Sequence, residues 1–231
     1  AWLQAGGQPK TAGRVVQQCA AGLIPIRIDG GQPAFAAPPL RRSAPSPSVL
    51  AKVAGALGLK AHQIVAAQLL DNGPKWLSLL LDSAETVLAL TPDHGALKAL
   101  GVKVGVAGIP VAPEAMHLIG RSNRESRAFA ATATRGSSLD VIAETARADA
   151  VGLEVRAFAA ASGIEEDPVT GSLNAGLAEW LIGEGHLPAR YRAGQGQAMG
   201  RDGYVTVERE ADGTIWIGGD SVTCIDGNVT L

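Results

Sequence analysis

Apolar and polar residues alternate in several short stretches of this chain, with the two-residue period of a half-buried strand. Ile24, Ile26 and Ile28 alternate with Pro25, Arg27 and Asp29, and Asp29-Gly30-Gly31 turns the chain into Gln32 to Ala36, which predicts a β-hairpin. Ile64 to Leu70 and Lys75 to Leu81 are two more strand-like runs, joined by the reverse-turn signal Asp71-Asn72-Gly73-Pro74. Arg127 to Ala131 and Arg156 to Ala160 share one strand signature, Arg-Ala-Phe-Ala-Ala. The C-terminal part also reads as β. It runs through Tyr204 to Glu208, an Asp212-Gly213 turn, Ile215 and Ile217, and then Val222 to Leu231, broken at Asp226-Gly227-Asn228.

Elsewhere the period is helical. Ser46-Pro47 reads as an N-cap and first-turn proline, with Val49, Leu50, Val53 and Leu57 on one face. Thr91-Pro92 opens a short helix that Gly101 closes, and Leu139, Ile142, Ala143 and Ala146 mark another. Leu173, Leu177, Trp180 and Leu181 repeat at helical spacing, while Ala175, Gly176 and Ala178 fill much of the remaining surface. A helix with so little polar surface is expected to be buried all round. Ala1 to Ala5 reads as the last turns of a helix stopped by Gly6-Gly7 with nothing upstream to start it, so lost N-terminal sequence is expected. Pro38 to Pro47 is the candidate linker. Many strands and one very apolar helix predict an α+β fold with a sheet wrapped around that helix, not a doubly wound alternation.

Composition narrows the class. With 231 residues, 46% of them hydrophobic and 18% charged, the chain is a globular protein able to bury a sizeable core. A formal net charge of -2 argues against a nucleic-acid partner. No apolar run reaches membrane-spanning length and no secretion signal is visible, so no membrane partner and a cytoplasmic location are expected. Cys19 and Cys224 read as reduced core residues, and the four scattered histidines make no metal site. Trp2, Trp76, Trp180 and Trp216 read as core or strand residues. Gly101 to Gly108 lacks dinucleotide-loop spacing and reads as a strand with turns, and no serine sits in a hydrolase elbow.

One segment carries candidate chemistry. Gly163-Ile164-Glu165-Glu166-Asp167-Pro168-Val169-Thr170-Gly171-Ser172 lies between a strand and the start of the apolar helix. Thr170 or Ser172 can cap that helix, and Gly171 lets the backbone approach a ligand. The first helical N–H groups have no internal acceptor and bind carboxylates readily. Asp167 stands where it could transfer a proton. On the residues alone, an acid-binding site and an acidic, capped loop with no chemistry are both open.

Glu166-Asp167-Pro168-Val169-Thr170-Gly171-Ser172 resembles the signature loop of the phenazine-biosynthesis-like family, relatives of diaminopimelate epimerase. Arg156-Ala157-Phe158, Gln195-Gly196-Gln197-Ala198-Met199-Gly200-Arg201, Ile215-Trp216-Ile217-Gly218-Gly219 and Asp71-Asn72-Gly73-Pro74 resemble its flanking segments in order. The resemblance implies two similar lobes, each a β-barrel-like sheet around a central helix, with the active site between them. Residues 1–40 would be the remainder of the first lobe, 41–220 the second lobe, and 221–231 a C-terminal strand returning to the first.

The same resemblance implies a cofactor-free isomerase or epimerase that moves a proton on a small carboxylic acid, in a homodimer. Asp167 would be catalytic, and Gly171, Ser172, Gly73 and Thr170 would hold the substrate. The family's first-lobe Ser-Glu-Thr and Gly-His-Pro-type segments occur nowhere in the chain, so inactivity of these residues alone is also expected. The competing reading is a non-catalytic small-acid-binding protein or an inactive remnant of the fold. A two-cysteine racemase is disfavoured because the loop carries Asp167 instead of a cysteine.

Overall fold

A computed structural model describes residues 2, 3, 5–28, 32–110, 150–225 and 227. The expected elements at Arg127 to Ala131 and Leu139 to Arg147 lie outside these residues, as does the turn at Asp29-Gly30-Gly31.

The described residues form one mixed sheet of twelve strands. In chain order these are β1 (Arg14–Cys19), β2 (Gly22–Arg27), β3 (Ala34–Ala36), β4 (Arg41–Ser43), β5 (Ile64–Asp71), β6 (Lys75–Leu81), β7 (Val104–Gly108), β8 (Val151–Ala159), β9 (Ile164–Asp167), β10 (Arg190–Gln195), β11 (Gly203–Arg209) and β12 (Ile215–Gly218). The path across the sheet is β1-β2-β3-β12-β11-β10-β8-β7-β6-β5-β4, and β9 pairs with β8 beside it. All neighbours are antiparallel except β6–β7 and β8–β10. Four α-helices occur among the described residues: α1 (Pro47–Ala56), α2 (Ala84–Ala89), α3 (His94–Leu100) and α4 (Gly171–Gly183). None is long and apolar enough to cross a membrane.

The very apolar helix is α4, and it is buried as its pattern requires. Leu173, Ala175, Leu177, Ala178, Trp180 and Leu181 are inaccessible to solvent. They pack against Leu70, Trp76 and Leu80 at one side of the sheet and Val205, Val207, Ile215 and Ile217 at the other. The sheet therefore curls around α4. Among the described residues it is barrel-like in wrapping the helix but does not close, with β1 and β4 as the ends of the path. Helices α1, α2 and α3 cover the opposite face of β6 to β8 through Val53, Leu57, Val87 and Leu97, which pack with Leu79, Val106 and Phe158. Gly105 lets α4 settle onto β7, since a Cβ there would lie 2.4 Å from Leu173 Cδ1.

Several local expectations need correction. The linker segment contains β4, which pairs with β5 and whose Arg42 forms an ion pair with Glu184 at the end of α4. Helix α3 starts after Pro92, because Asp93 Oδ1 accepts the Ala96 N–H at 2.8 Å and so fixes its first turn. Helix α2 was not anticipated, although Ser83 caps it in the same way through Thr86 N–H. Strands β1 and β10 were also missed. Residues 221–225 are not a strand; Val222 and Ile225 are 83% and 90% exposed and have no ladder partner among the described residues. Cys19 and Cys224 are free and exposed, not core residues; Cys19 ends the solvent-facing edge strand β1, and Cys224 lies in the exposed segment 221–225. Trp2 is exposed as well, while the other three tryptophans are buried.

At the N-terminal end the Gly6 N–H donates to Leu3 O at 3.1 Å and the Gly7 N–H to Trp2 O at 2.9 Å, with Gly6 at φ 88°. These bonds close a turn at Gly6-Gly7; the described residues before it are in a turn and form no helix.

Candidate active site

Val169 and, from the first turn of α4, Gly171 and Ser172 form the floor of a cavity of about 520 Å³. The Asn174 N–H makes the first intrahelical bond, to Thr170 O at 3.1 Å. The N–H groups of Gly171, Ser172 and Leu173 find no acceptor among the described residues. They sit at the positive end of a thirteen-residue helix, which favours an anion there.

The expected caps do not form. Thr170 is the N-cap residue, but its hydroxyl makes no capping bond. It donates to Asp167 Oδ2 at 2.8 Å and accepts from Gln195 Nε2 at 3.0 Å. Ser172 instead accepts an indole N–H, with Trp76 Nε1 3.1 Å from its Oγ. Because that lone pair is engaged, the hydroxyl proton of Ser172 remains to be donated into the cavity. Asn72 Nδ2 holds the Ser172 carbonyl at 2.8 Å, so the residue is fixed at both ends.

Gln195 organises the loop. It is fully buried, its Oε1 accepts from Thr170 N and Asn174 Nδ2, and its Nε2 donates to Asp167 O and to Thr170 Oγ1. All four bonds are between 2.9 and 3.1 Å, so the amide is satisfied without water. Gly203 permits this closeness, because a Cβ there would be 2.5 Å from both Gln195 O and Val169 Cγ2. Behind the loop, Arg156 grips Glu166 with two parallel bonds of 2.8 Å in a nearly dry setting, and its Nη1 donates to Leu90 O. Glu166 is thereby a structural anchor.

The structure brings the sequence-derived site residues together unequally. Gly171 and Ser172 line the cavity. Gly171 lies under Phe35, whose ring would be 3.1 Å from a Cβ at that position. Gly73, at φ 117°, directs its N–H to Asp71 Oδ1, and its neighbours Asn72 and Pro74 do the lining. Thr170 is buried beneath the floor. Asp167 is half-buried, accepts the Thr170 hydroxyl, and is not one of the cavity's lining residues. Among the described residues that line the cavity there is no charged side chain. Ile26, Phe35, Pro74, Val169 and Ile217 supply apolar walls, and Gln17, Cys19, Asn72 and Ser172 the polar side chains.

Sequence reasoning missed Trp76, Asn72, Gln195, Asn174 and Phe35. Asn72 and Gln195 sat inside segments already singled out, and a polar residue in a strand about to be buried was the available signal for Gln195.

A family model described as phenazine biosynthesis-like protein matches residues 2–227. Among individual proteins, antisense-enhancing sequence 1 of Schizosaccharomyces pombe is 26% identical over 229 residues, covering 93% of this chain and 66% of that protein. The uncharacterized isomerase YddE of Escherichia coli K12 is 28% identical over 190 residues, covering 79% of this chain and 51% of the other. A crystal structure of a PhzF-family phenazine biosynthesis protein from Enterococcus faecalis superposes with a TM-score of 0.60 at 22% identity, over 94% of this chain and 64% of that one. The chain thus spans between about half and two thirds of the length of these relatives.

Proposed function

This chain belongs to the phenazine biosynthesis-like protein family, and from that premise we propose that it serves an isomerase that moves a proton on a small carboxylic acid without a cofactor. The observation that carries the proposal is the uncapped start of α4. Gly171 and Ser172, with N–H groups that no acceptor among the described residues takes up and a Ser172 hydroxyl that accepts from Trp76, line one side of a largely apolar cavity. In such a place a carboxylate is held by dipoles that need no rearrangement when charge develops on it. That matters for proton transfer next to a carboxylate, where negative charge spreads towards the acid group in the transition state.

Asp167 is the acid/base group in this reading. Thr170 holds its Oδ2, and Oδ1 has no partner among the described residues. The isomerase name of the Escherichia coli relative supports the reaction class. A positioned general acid or base contributes roughly 10²–10⁴-fold to rate.

The test is deuterium exchange. A panel of small carboxylic acids is incubated with the protein in D₂O, and loss of C–H signal near the carboxylate is followed by NMR. Wild type is expected to exchange at least one acid, and Asp167→Asn to lose about a hundredfold or more in rate with affinity changed less than about twofold. Full exchange in Asp167→Asn would reduce that residue to holding the loop. Binding without any exchange in wild type would put the non-catalytic acid-binding protein ahead.

A further inference from the structure

A side-chain amide can be turned either way round, and at Gln195 two main-chain groups decide which way. The Thr170 N–H can only donate, so the amide atom 3.1 Å from it is Oε1; the Asp167 carbonyl can only accept, so the amide atom 2.9 Å from it is Nε2. Nε2 therefore presents its second hydrogen to Thr170 Oγ1 at 3.0 Å. With that lone pair taken, the Thr170 hydroxyl turns its own hydrogen to Asp167 Oδ2, 2.8 Å away. One direction thus runs through the chain of bonds, from Gln195 to the Thr170 hydroxyl to the carboxylate. Gln195 and Thr170 are 0% and 6% exposed, so water does not compete for these bonds, whereas Asp167 is only half-buried. The end of β10 is pressed against the loop to make the contact: a Cβ on Gly196 would lie 2.8 Å from the Pro168 carbonyl oxygen.

Resting on the proton-transfer reading above, we infer that Gln195 is a positioning residue for Asp167, acting through the Thr170 hydroxyl. Oδ2 faces a hydroxyl hydrogen, and a proton added there would put two hydrogens between one pair of oxygens. Oδ1 is then the oxygen that exchanges the substrate proton. In the transfer a substrate proton moves to Oδ1, the C–H electron pair stays on the substrate, and Oδ1 gives the proton back at the end. Thr170 and Gln195 keep their own hydrogens throughout and hold the carboxylate in one orientation.

Two measurements test this. In the NMR spectrum of the Gln195 side-chain amide, Thr170→Val should move the resonance of one Nε2 hydrogen and leave its twin, while Thr170→Ser should leave both. The second is deuterium exchange at saturating concentrations of an acid from the panel. Thr170→Val and Gln195→Glu should each lower the saturated rate about three- to tenfold, with the half-saturating concentration changed less than about twofold. Gln195→Glu still accepts from the Thr170 N–H and Asn174 Nδ2 but offers no hydrogen to the hydroxyl. Thr170→Ser, which restores the hydroxyl, should recover most of the loss. The double variant should be no slower than the slower single one, because both act along one chain. Thr170→Val carries the test if the buried carboxyl of Gln195→Glu unfolds the protein.

A wild-type saturated rate in Thr170→Val, or an amide resonance that does not move, overturns the inference. So does a change confined to the half-saturating concentration, which is what a residue that only holds the loop would give. In each of these cases a slow Asp167→Asn leaves the proton-transfer reading standing. If Asp167→Asn exchanges at the wild-type rate, or wild type exchanges no acid, that reading falls and the inference with it.

Discussion

Trp76 and Ser172 stand 96 residues apart in the chain, and the indole N–H of the first is 3.1 Å from the hydroxyl oxygen of the second. β6 supplies the tryptophan and α4 the serine, so the contact exists only because the sheet curls around the helix. It takes up a lone pair of Ser172 and leaves the hydroxyl proton for a ligand. Trp76→Phe keeps the apolar ring but removes this orienting donor. It is expected to weaken carboxylate binding by about 0.5–1.5 kcal/mol, the size of one net hydrogen bond. Ser172→Ala should cost a similar amount, and the double variant no more than the larger single loss. Calorimetric titration of the three variants with an acid from the exchange panel measures this; full additivity would mean that the two residues act separately.

Leu177 is inaccessible at the centre of α4 and belongs to the cluster shared by strands on both sides of the helix. Leu177→Ala should cost about 2–5 kcal/mol through the cavity it leaves. Leu177→Asp buries an unpaired charge and should abolish cooperative unfolding near neutral pH. Circular dichroism during thermal melting reports both outcomes.

The Arg156–Glu166 pair has side chains only 6% and 8% exposed. Glu166→Gln leaves the guanidinium with the Val87 and Leu90 carbonyls but without a counter-charge. A loss of about 3–5 kcal/mol is expected, as for other buried pairs broken on one side. Denaturant unfolding gives the number. A change under about 1 kcal/mol would show that water reaches the pair.

Glu154 lies two residues before Arg156 on β8, and burial pushes its carboxyl up to about 7, with Arg156 acting in the opposite direction. Its Oε1 has no partner among the described residues. A carboxyl that holds its proton more tightly when folded supports the fold fully below its unfolded value and loses that support as pH rises towards 7. Wild-type stability should therefore fall between about pH 4.5 and pH 7. Glu154→Gln should flatten this part of the profile and melt higher at pH 8, by about 1–3 kcal/mol, with little change at pH 4. Thermal melts across pH on the two proteins decide it, and an unchanged slope would locate the titrating group elsewhere.

Much of the fold was legible locally. Lys75 to Leu81 became β6 as read, Ile64 to Leu70 became β5 with one more residue, and the buried helix starts at Gly171, one residue before its anticipated place. β6 and α4 are buried almost throughout, and β5 is half-buried along most of its length, so each keeps a readable apolar pattern. β1 was illegible because an exposed edge strand needs no apolar face, and Gln17-Gln18 breaks the alternation. β10 was hidden by its small and charged residues, since Ala193 and Gly194 pack closely without an apolar signature.

The sequence by itself determined the loop from Glu166 to Ser172, the apolar character of α4 and the likeness to the phenazine biosynthesis-like family, because each is written in adjacent residues. Only the tertiary structure decided how that loop is used. It drew the Thr170 hydroxyl away from the helix end onto Asp167, through an amide 25 residues later at Gln195. It left Asn72 Oδ1 buried without a hydrogen-bond partner among the described residues, and it put Asn72 and Pro74, not Gly73, among the cavity's lining residues. Hydrogen-bond partners of buried polar groups are settled by whichever donor and acceptor the packed core brings within about 3 Å. That competition among distant residues leaves no periodic trace in the chain.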